Sequence, residues 1–162
     1  MKELKSIGAM ATELLTMQAS LTLAVHKGLN EVATSIQRTA KEEIGIYQPA
    51  VSPFPGWPQL AEATQAQRVR MGFSPNDPGL RDGTMRDSIV KEVGLTEAVV
   101  ASDDQNLVYF ELGTDKQPPR PVLGPAVVRN HTKIMKVMGS AVVSGMLGGA
   151  AIPGNLGYDH DV

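Results

Sequence analysis

The chain contains no cysteine, which excludes a disulfide framework, a thiolate zinc site and a cysteine nucleophile. Aromatics are scarce: seven among 162 residues, namely Tyr47, Phe54, Trp57, Phe73, Tyr109, Phe110 and Tyr158. The core must therefore rest on Leu, Val, Ile, Ala and Met, which suits packed helices. A cationic excess is missing too. Fifteen basic against 17 acidic side chains leave a net charge of −2, so a strongly basic nucleic-acid surface is not expected. The N-terminal stretch MKELKSIGAM alternates charge with apolar residues, and no apolar core of a signal peptide is expected there. One long uncharged run exists, Val137–Tyr158, but its glycines and Pro153 make a poor membrane helix.

What is present is ordinary globular composition, 42% hydrophobic, which excludes wholesale disorder. The length predicts a single domain over residues 1–147 and a flexible C-terminal arm over 148–162. Leu4, Ile7, Ala11, Leu14, Leu21, Val25, Leu29, Val32, Ile36, Ala40 and Ile44 recur at mostly three- and four-residue spacing. This predicts one long amphipathic helix over 3–44, stopped by Gly45, with Gly8 and Gly28 as candidate bends or breaks. Such a helix is about 60 Å long, more than a small domain can cover, so part of its apolar stripe is expected to pack on another chain.

Residues 46–58 hold four prolines and three aromatics and read as an extended loop anchored by Phe54 and Trp57. A short helix is expected at about 59–69 and a loop over 72–83. The β-branched runs 88–93 and 98–102, joined at Gly94–Glu97, predict a hairpin over 88–102. Leu107–Leu112 suits either a third strand or one helical turn. A proline-rich loop leads into a second helix over 125–147, with Pro125 at its first position. The expected fold is α+β: a long N-terminal and a C-terminal helix packed on a small antiparallel sheet, with long proline-rich loops.

No catalytic set emerges. His26 and His131 lack a carboxylate or second histidine four residues away and read as rim residues. Asp159-His160-Asp161 has metal-ligand types, but nothing at that point holds it rigid. No GxGxxG or GxxxxGK[ST] occurs, so no phosphate-binding cofactor is expected. Asp82, Asp87, Asp103, Asp104 and Glu111 lie beside turns and read as caps and turn formers. An enzyme is therefore not expected, and no metal or cofactor is assigned.

The distinctive stretch is Tyr109-Phe110-Glu111-Leu112-Gly113-Thr114, followed by Arg120-Pro121-Val122-Leu123-Gly124-Pro125-Ala126. A carboxylate set among apolar residues needs a partner, and Arg120 offers a planar fork nine residues on, across a loop stiffened by Pro118, Pro119 and Pro121. A direct Glu111–Arg120 contact is expected, within or between subunits.

This pattern resembles the neck and tail-completion proteins of long-tailed, siphophage-type bacteriophages, a family of tail components. The family's Tyr…Glu-x-Gly-Thr motif stands here as Tyr109, Glu111, Leu112, Gly113 and Thr114. Its Arg-Pro-x-Leu-x-Pro-Ala motif stands as Arg120, Pro121, Val122, Leu123, Pro125 and Ala126, preceded by Pro119. Trp57, Leu60 and Thr64 match an upstream Trp-x-x-Leu-x-x-x-Thr segment, and Asp82–Ile89 matches a Thr-Gly-x-Leu-x-x-Ser-Ile segment with Asp for Thr and Met85 for Leu. Val122 replaces the usual aromatic. The likeness covers roughly residues 10 to 140.

The resemblance implies a non-enzymatic structural protein of the virion, at the head–tail junction and assembled in the host cytoplasm. It implies a homo-oligomeric ring of six copies, or in second place twelve, around the DNA channel. Its partners would be head-closure or connector proteins on one side and tail-terminator or tail-tube proteins on the other, with DNA passing through without sequence-specific binding and no membrane involved. Near-neutral charge agrees with DNA that slides rather than sticks. The interface and structural residues so implied are Trp57, Tyr109, Glu111, Gly113, Thr114, Arg120, Pro121, Leu123 and Pro125. In the arm, Ile152, Leu156 and Tyr158 are expected to insert into a neighbouring subunit. The alternative is a small membrane-associated protein using the uncharged segment 137–158.

Overall fold

A computed structural model describes residues 6–148. Its helix α1 spans Ile7–Glu43, about 55 Å. Ser6 caps it, its hydroxyl accepting from the Ala9 amide at 3.2 Å. The chain leaves α1 at Ile44 in an extended conformation, and Gly45 follows with φ of 102°, which favours glycine. The rest of the order is α2 (Glu62–Arg70), α3 (Thr84–Asp87), β1 (Val90–Val93), β2 (Ala98–Ala101), α4 (Gln105–Leu112), α5 (Leu123–Arg129) and α6 (His131–Met146). The fold is α+β, as expected, with a two-stranded antiparallel sheet.

Helix α1 carries the hairpin, α5 and α6. Along its middle it carries α6, running antiparallel. The two approach through glycines. A Cβ on Gly145 would lie 2.6 Å from the Leu21 Cα, and one on Gly28 would lie 3.1 Å from the Ala141 Cβ and 3.2 Å from the Met138 Sδ. Gly28 therefore does not bend or break α1. It is the place where α6 comes close, as small residues allow.

The hairpin also packs on α1, with Val90 opposite Ala101 and Val93 opposite Ala98. Its tip is tied down by a 2.8 Å hydrogen bond between His26 Nδ1 and the Gly94 carbonyl. Its entry is tied by Gln37 Nε2 donating to the Ile89 carbonyl at 2.9 Å. Residues 107–112 take the helical alternative, as part of α4. Asp104 caps that helix by accepting from the Asn106 amide at 2.8 Å.

Two boundaries differ from the sequence expectation. The segment 125–147 is not one helix: α5 ends and α6 begins at Asn130, with φ −93° and ψ 4°. The Asn130 side-chain amide donates to the Ala126 carbonyl and to Thr39 Oγ1, each at 2.8 Å, so a short polar side chain competes for the backbone while clamping the corner to α1. Pro125 accordingly sits at the third position of α5, still within the first turn, where its missing N–H is harmless. The helix expected from residue 59 starts at Glu62 instead. Residues 58–60 are held out of it by hydrogen bonds described below.

The core gathers Ala40 and Ile44 of α1, Trp57, Met85, Ile89, Leu107, Phe110, Val122 and Ala126. Val122 and Ile89 are fully buried. The expected arm 148–162 and the Asp159-His160-Asp161 group lie outside the described residues, apart from Gly148. Among the described residues no helix is long and apolar enough to cross a membrane, and residues 137–146 of the uncharged run lie within α6, on α1.

Candidate functional site

The motif residues converge at one junction between the loop carrying Trp57, the C-terminal end of α4 and the start of α5. The Trp57 indole Nε1 donates to the Pro121 carbonyl at 2.8 Å, and its ring meets Phe110 edge-on with centroids 5.1 Å apart. Arg120 is buried. Its Nε and one terminal nitrogen donate to the Pro58 carbonyl at 3.1 and 2.9 Å, and that terminal nitrogen also reaches the Gln59 carbonyl at 3.2 Å. The guanidinium lies 5.8 Å from the Phe110 ring centroid. Its own backbone amide donates to the Phe110 carbonyl at 2.7 Å, so arginine and ring are fixed to each other twice. Burial lowers the Arg120 pKa from its ordinary value, while Tyr47 opposes the shift. Tyr47 also accepts from the Leu60 amide at 3.1 Å, and these bonds together hold residues 58–60 outside α2.

Glu111 does not pair with Arg120. One of its carboxylate oxygens, Oε2, accepts the amides of Val122 at 2.7 Å and Leu123 at 3.2 Å, at the first turn of α5. These amides have no partner inside the helix, and an anion at a helix N-terminus is favoured by both hydrogen bonding and the dipole. Within the chain the expected ion pair does not form, for a geometric reason. Each charge has its own backbone partners, Glu111 the orphan amides of α5 and Arg120 the carbonyls of Pro58 and Gln59.

Between them lies a stiff turn. Gly113 closes α4 with φ 76°, and a Cβ there would meet the Pro119 nitrogen at 2.7 Å. Thr114 and Gln117 exchange backbone hydrogen bonds at 2.8 and 3.1 Å. Leu123 is half-buried and Pro125 buried, and the Phe54 ring lies where a Cβ on Gly124 would go. Tyr109 and Thr114 are the exposed members of the nine. Tyr109 stands half exposed on the outer face of α4 beside Val108 and Leu112, and its hydroxyl accepts from Gln105 Nε2 at 2.7 Å.

A second polar cluster was invisible in the sequence. Glu43, at the end of α1, is buried and its Oε1 accepts from Arg129 of α5, which also donates to Gln48 Oε1 at 2.8 Å. Glu43 Oε2 is buried without a partner among the described residues. Burial pushes the Glu43 carboxyl up to about 7, against the attraction of Arg129. Arg68 of α2 is likewise buried, donating to the carbonyls of Ser74 and Leu80 and so holding loop 72–83. These partners lie 6 to 86 residues apart, with no local spacing to announce them.

The caps expected of the turn carboxylates are present at Asp82 and Asp104 as well as Glu111. Asp82 accepts from the Thr84 amide at 3.0 Å, a bond that holds its pKa below the usual range. Among the described residues no group of three His, Asp or Glu could hold a metal ion. A concavity of about 470 Å³ is an open groove along α1 lined by Thr34, Gln37, Arg38, Lys41, Glu42 and Arg86, and none of the nine motif residues lines it. What the junction does chemically is lock three distant segments of chain into one rigid unit. No family model, curated protein or solved structure matches this chain.

Proposed function

We propose that this chain is a structural, non-enzymatic component of the head–tail junction of a long-tailed bacteriophage, forming a ring around the DNA channel between connector and tail. The observation that carries the reading is the junction itself. Three of the four segments that resemble the neck and tail-completion family, around Trp57, 109–114 and 119–126, bond to one another through Trp57–Pro121, Arg120–Pro58 and Glu111–Val122. Such a resemblance in separate stretches has a physical basis when the stretches are each other's partners.

Two further features support assembly. Residues 6–19 of α1 are exposed, and Ile7, Met10, Leu14, Leu15 and Met17 stand open there. Val108, Tyr109 and Leu112 form a second apolar face, directly on the motif helix. A near-neutral charge suits a wall past which DNA slides. Six copies, or in second place twelve, would close the ring, with head-closure or connector proteins and tail-terminator or tail-tube proteins as neighbours.

Deleting the gene from the phage genome tests this. The expected result is DNA-filled heads and separate tails that do not join, restored by supplying the chain in trans. Normally joined, infectious particles from the deletion would overturn it.

A further inference from the structure

Two exposed apolar faces lie far apart along α1, and they differ in shape. The first is convex. Ile7, Met10, Leu14 and Met17 follow one another at spacings of three and four, with Ile7 89% and Leu14 51% exposed. Helix α6 closes on α1 at Leu21 through Gly145 and ends at Met146, so this row has no cover among the described residues.

The second face is concave. The outer side of the hairpin shows Val99 and Ala101 of β2, with Val90 as the register partner of Ala101. Beside it stand Val108 and Leu112 of α4, Leu112 being 74% exposed. Where β2, α4 and α5 meet, Ala101, Leu107, Val108, Leu112 and Leu123 line a notch of about 170 Å³, room for an aliphatic side chain. Its one ionisable lining residue, Glu111, has Oε2 turned to the Val122 and Leu123 amides.

We propose that the open end of α1 docks on the α4–hairpin notch of a second copy of this chain, with Leu14 entering the notch. The row cannot reach the notch of its own chain. Ile89, next to Val90, is tied to Gln37 of α1, and from Leu14 to Gln37 is about 35 Å of unbroken helix. A row at one end and a notch at the other make a heterologous contact, which joins copies head to tail and closes a ring when the rotation allows. The contact rests on the ring reading above and supplies the surfaces that would build it.

Charge and area agree with this occupant. Residues 6–20 carry one charged side chain, Glu13, at the flank of the row, so no unpaired charge is stripped of water at the centre. Pairing the two faces buries about 900 Å² of apolar surface, near the lower bound for a specific interface, and in a closed ring each copy makes the contact twice.

Sedimentation of the full chain and of charge-introducing variants tests it. Leu14→Asp and Leu112→Asp alter exposed positions, so both are expected to keep the parent's melting temperature. At concentrations where the parent assembles beyond dimers, each variant alone is expected to be monomeric. Their equimolar mixture is expected to be a dimer and no larger, because the intact notch of one accepts the intact row of the other. Thr12→Asp, on the far side of α1 from the row, is expected to assemble like the parent. A parent that stays monomeric would overturn the proposal, and so would a Leu112→Asp variant that still assembles, which would pair row with row. A mixture that stays monomeric, or a Thr12→Asp variant that fails to assemble, would overturn it as well. None of these outcomes touches the gene-deletion test, which reads the phage assignment separately.

Discussion

The indole of Trp57 and the carbonyl of Pro121 are joined by a buried 2.8 Å hydrogen bond across 64 residues of sequence. The bond pins the proline loop to the segment that Arg120 holds from the other side. Trp57→Phe keeps most of the apolar surface and strands the Pro121 carbonyl, at an expected cost of about 1–3 kcal/mol. Trp57→Ala is expected to cost about 3–5 kcal/mol. Urea denaturation followed by far-ultraviolet dichroism measures both. Equal, negligible losses would mean that the indole is not part of the core.

Glu111 and Arg120 act on different partners, and that separates them from an ion pair. Glu111→Ala removes the cap of α5 and is expected to cost about 1–2 kcal/mol. Arg120→Lys loses the fork to the Pro58 and Gln59 carbonyls and is expected to cost about 2–3 kcal/mol. Because the two side chains share no bond, the double variant is expected to be additive within about 0.5 kcal/mol. A coupling well above that would restore a direct pair.

The close approach of α6 to α1 gives opposite expectations for two glycines of one helix. Gly145→Ala puts a methyl 2.6 Å from the Leu21 backbone, which cannot step aside, at an expected cost of about 1–3 kcal/mol. Gly139→Ala meets nothing within 4 Å and is expected to stabilise by up to about 1 kcal/mol through helix propensity. Thermal melts of the two variants decide it, and a shift of the same sign in both would contradict the packing.

Burial of Glu43 makes stability depend on pH. Its carboxyl moves from 4.5 in the unfolded chain to about 7 in the folded one, so the folded state holds the proton more tightly. The contribution is fully present below about pH 4.5 and is lost as pH rises through about 7. The melting temperature is therefore expected to fall between pH 5 and pH 8, and Glu43→Gln is expected to flatten that slope. A Glu43→Gln profile parallel to the parent would place the titration elsewhere.

The long helix was legible in the sequence because its apolar positions recur over many turns, and the hairpin because β-branched runs flank a turn. The break at Asn130 was not. It depends on Thr39, 91 residues away, and an asparagine inside an apolar period carries no such mark. The motif residues were legible as a group, yet their partners were not. Glu111 and Arg120 look complementary in one dimension, while the backbone groups that claim them lie in segments whose path only folding sets. Glu43 with Arg129, and Arg68 with loop 72–83, were missed for the same reason.

Electron cryomicroscopy of the intact particle measures the central claim most directly. The account predicts density for this fold at the head–tail junction, in six copies or twelve, with the Trp57–Arg120 junction inside each subunit and α1 directed at a neighbour. A single copy, or density for this chain only elsewhere in the particle, would contradict it.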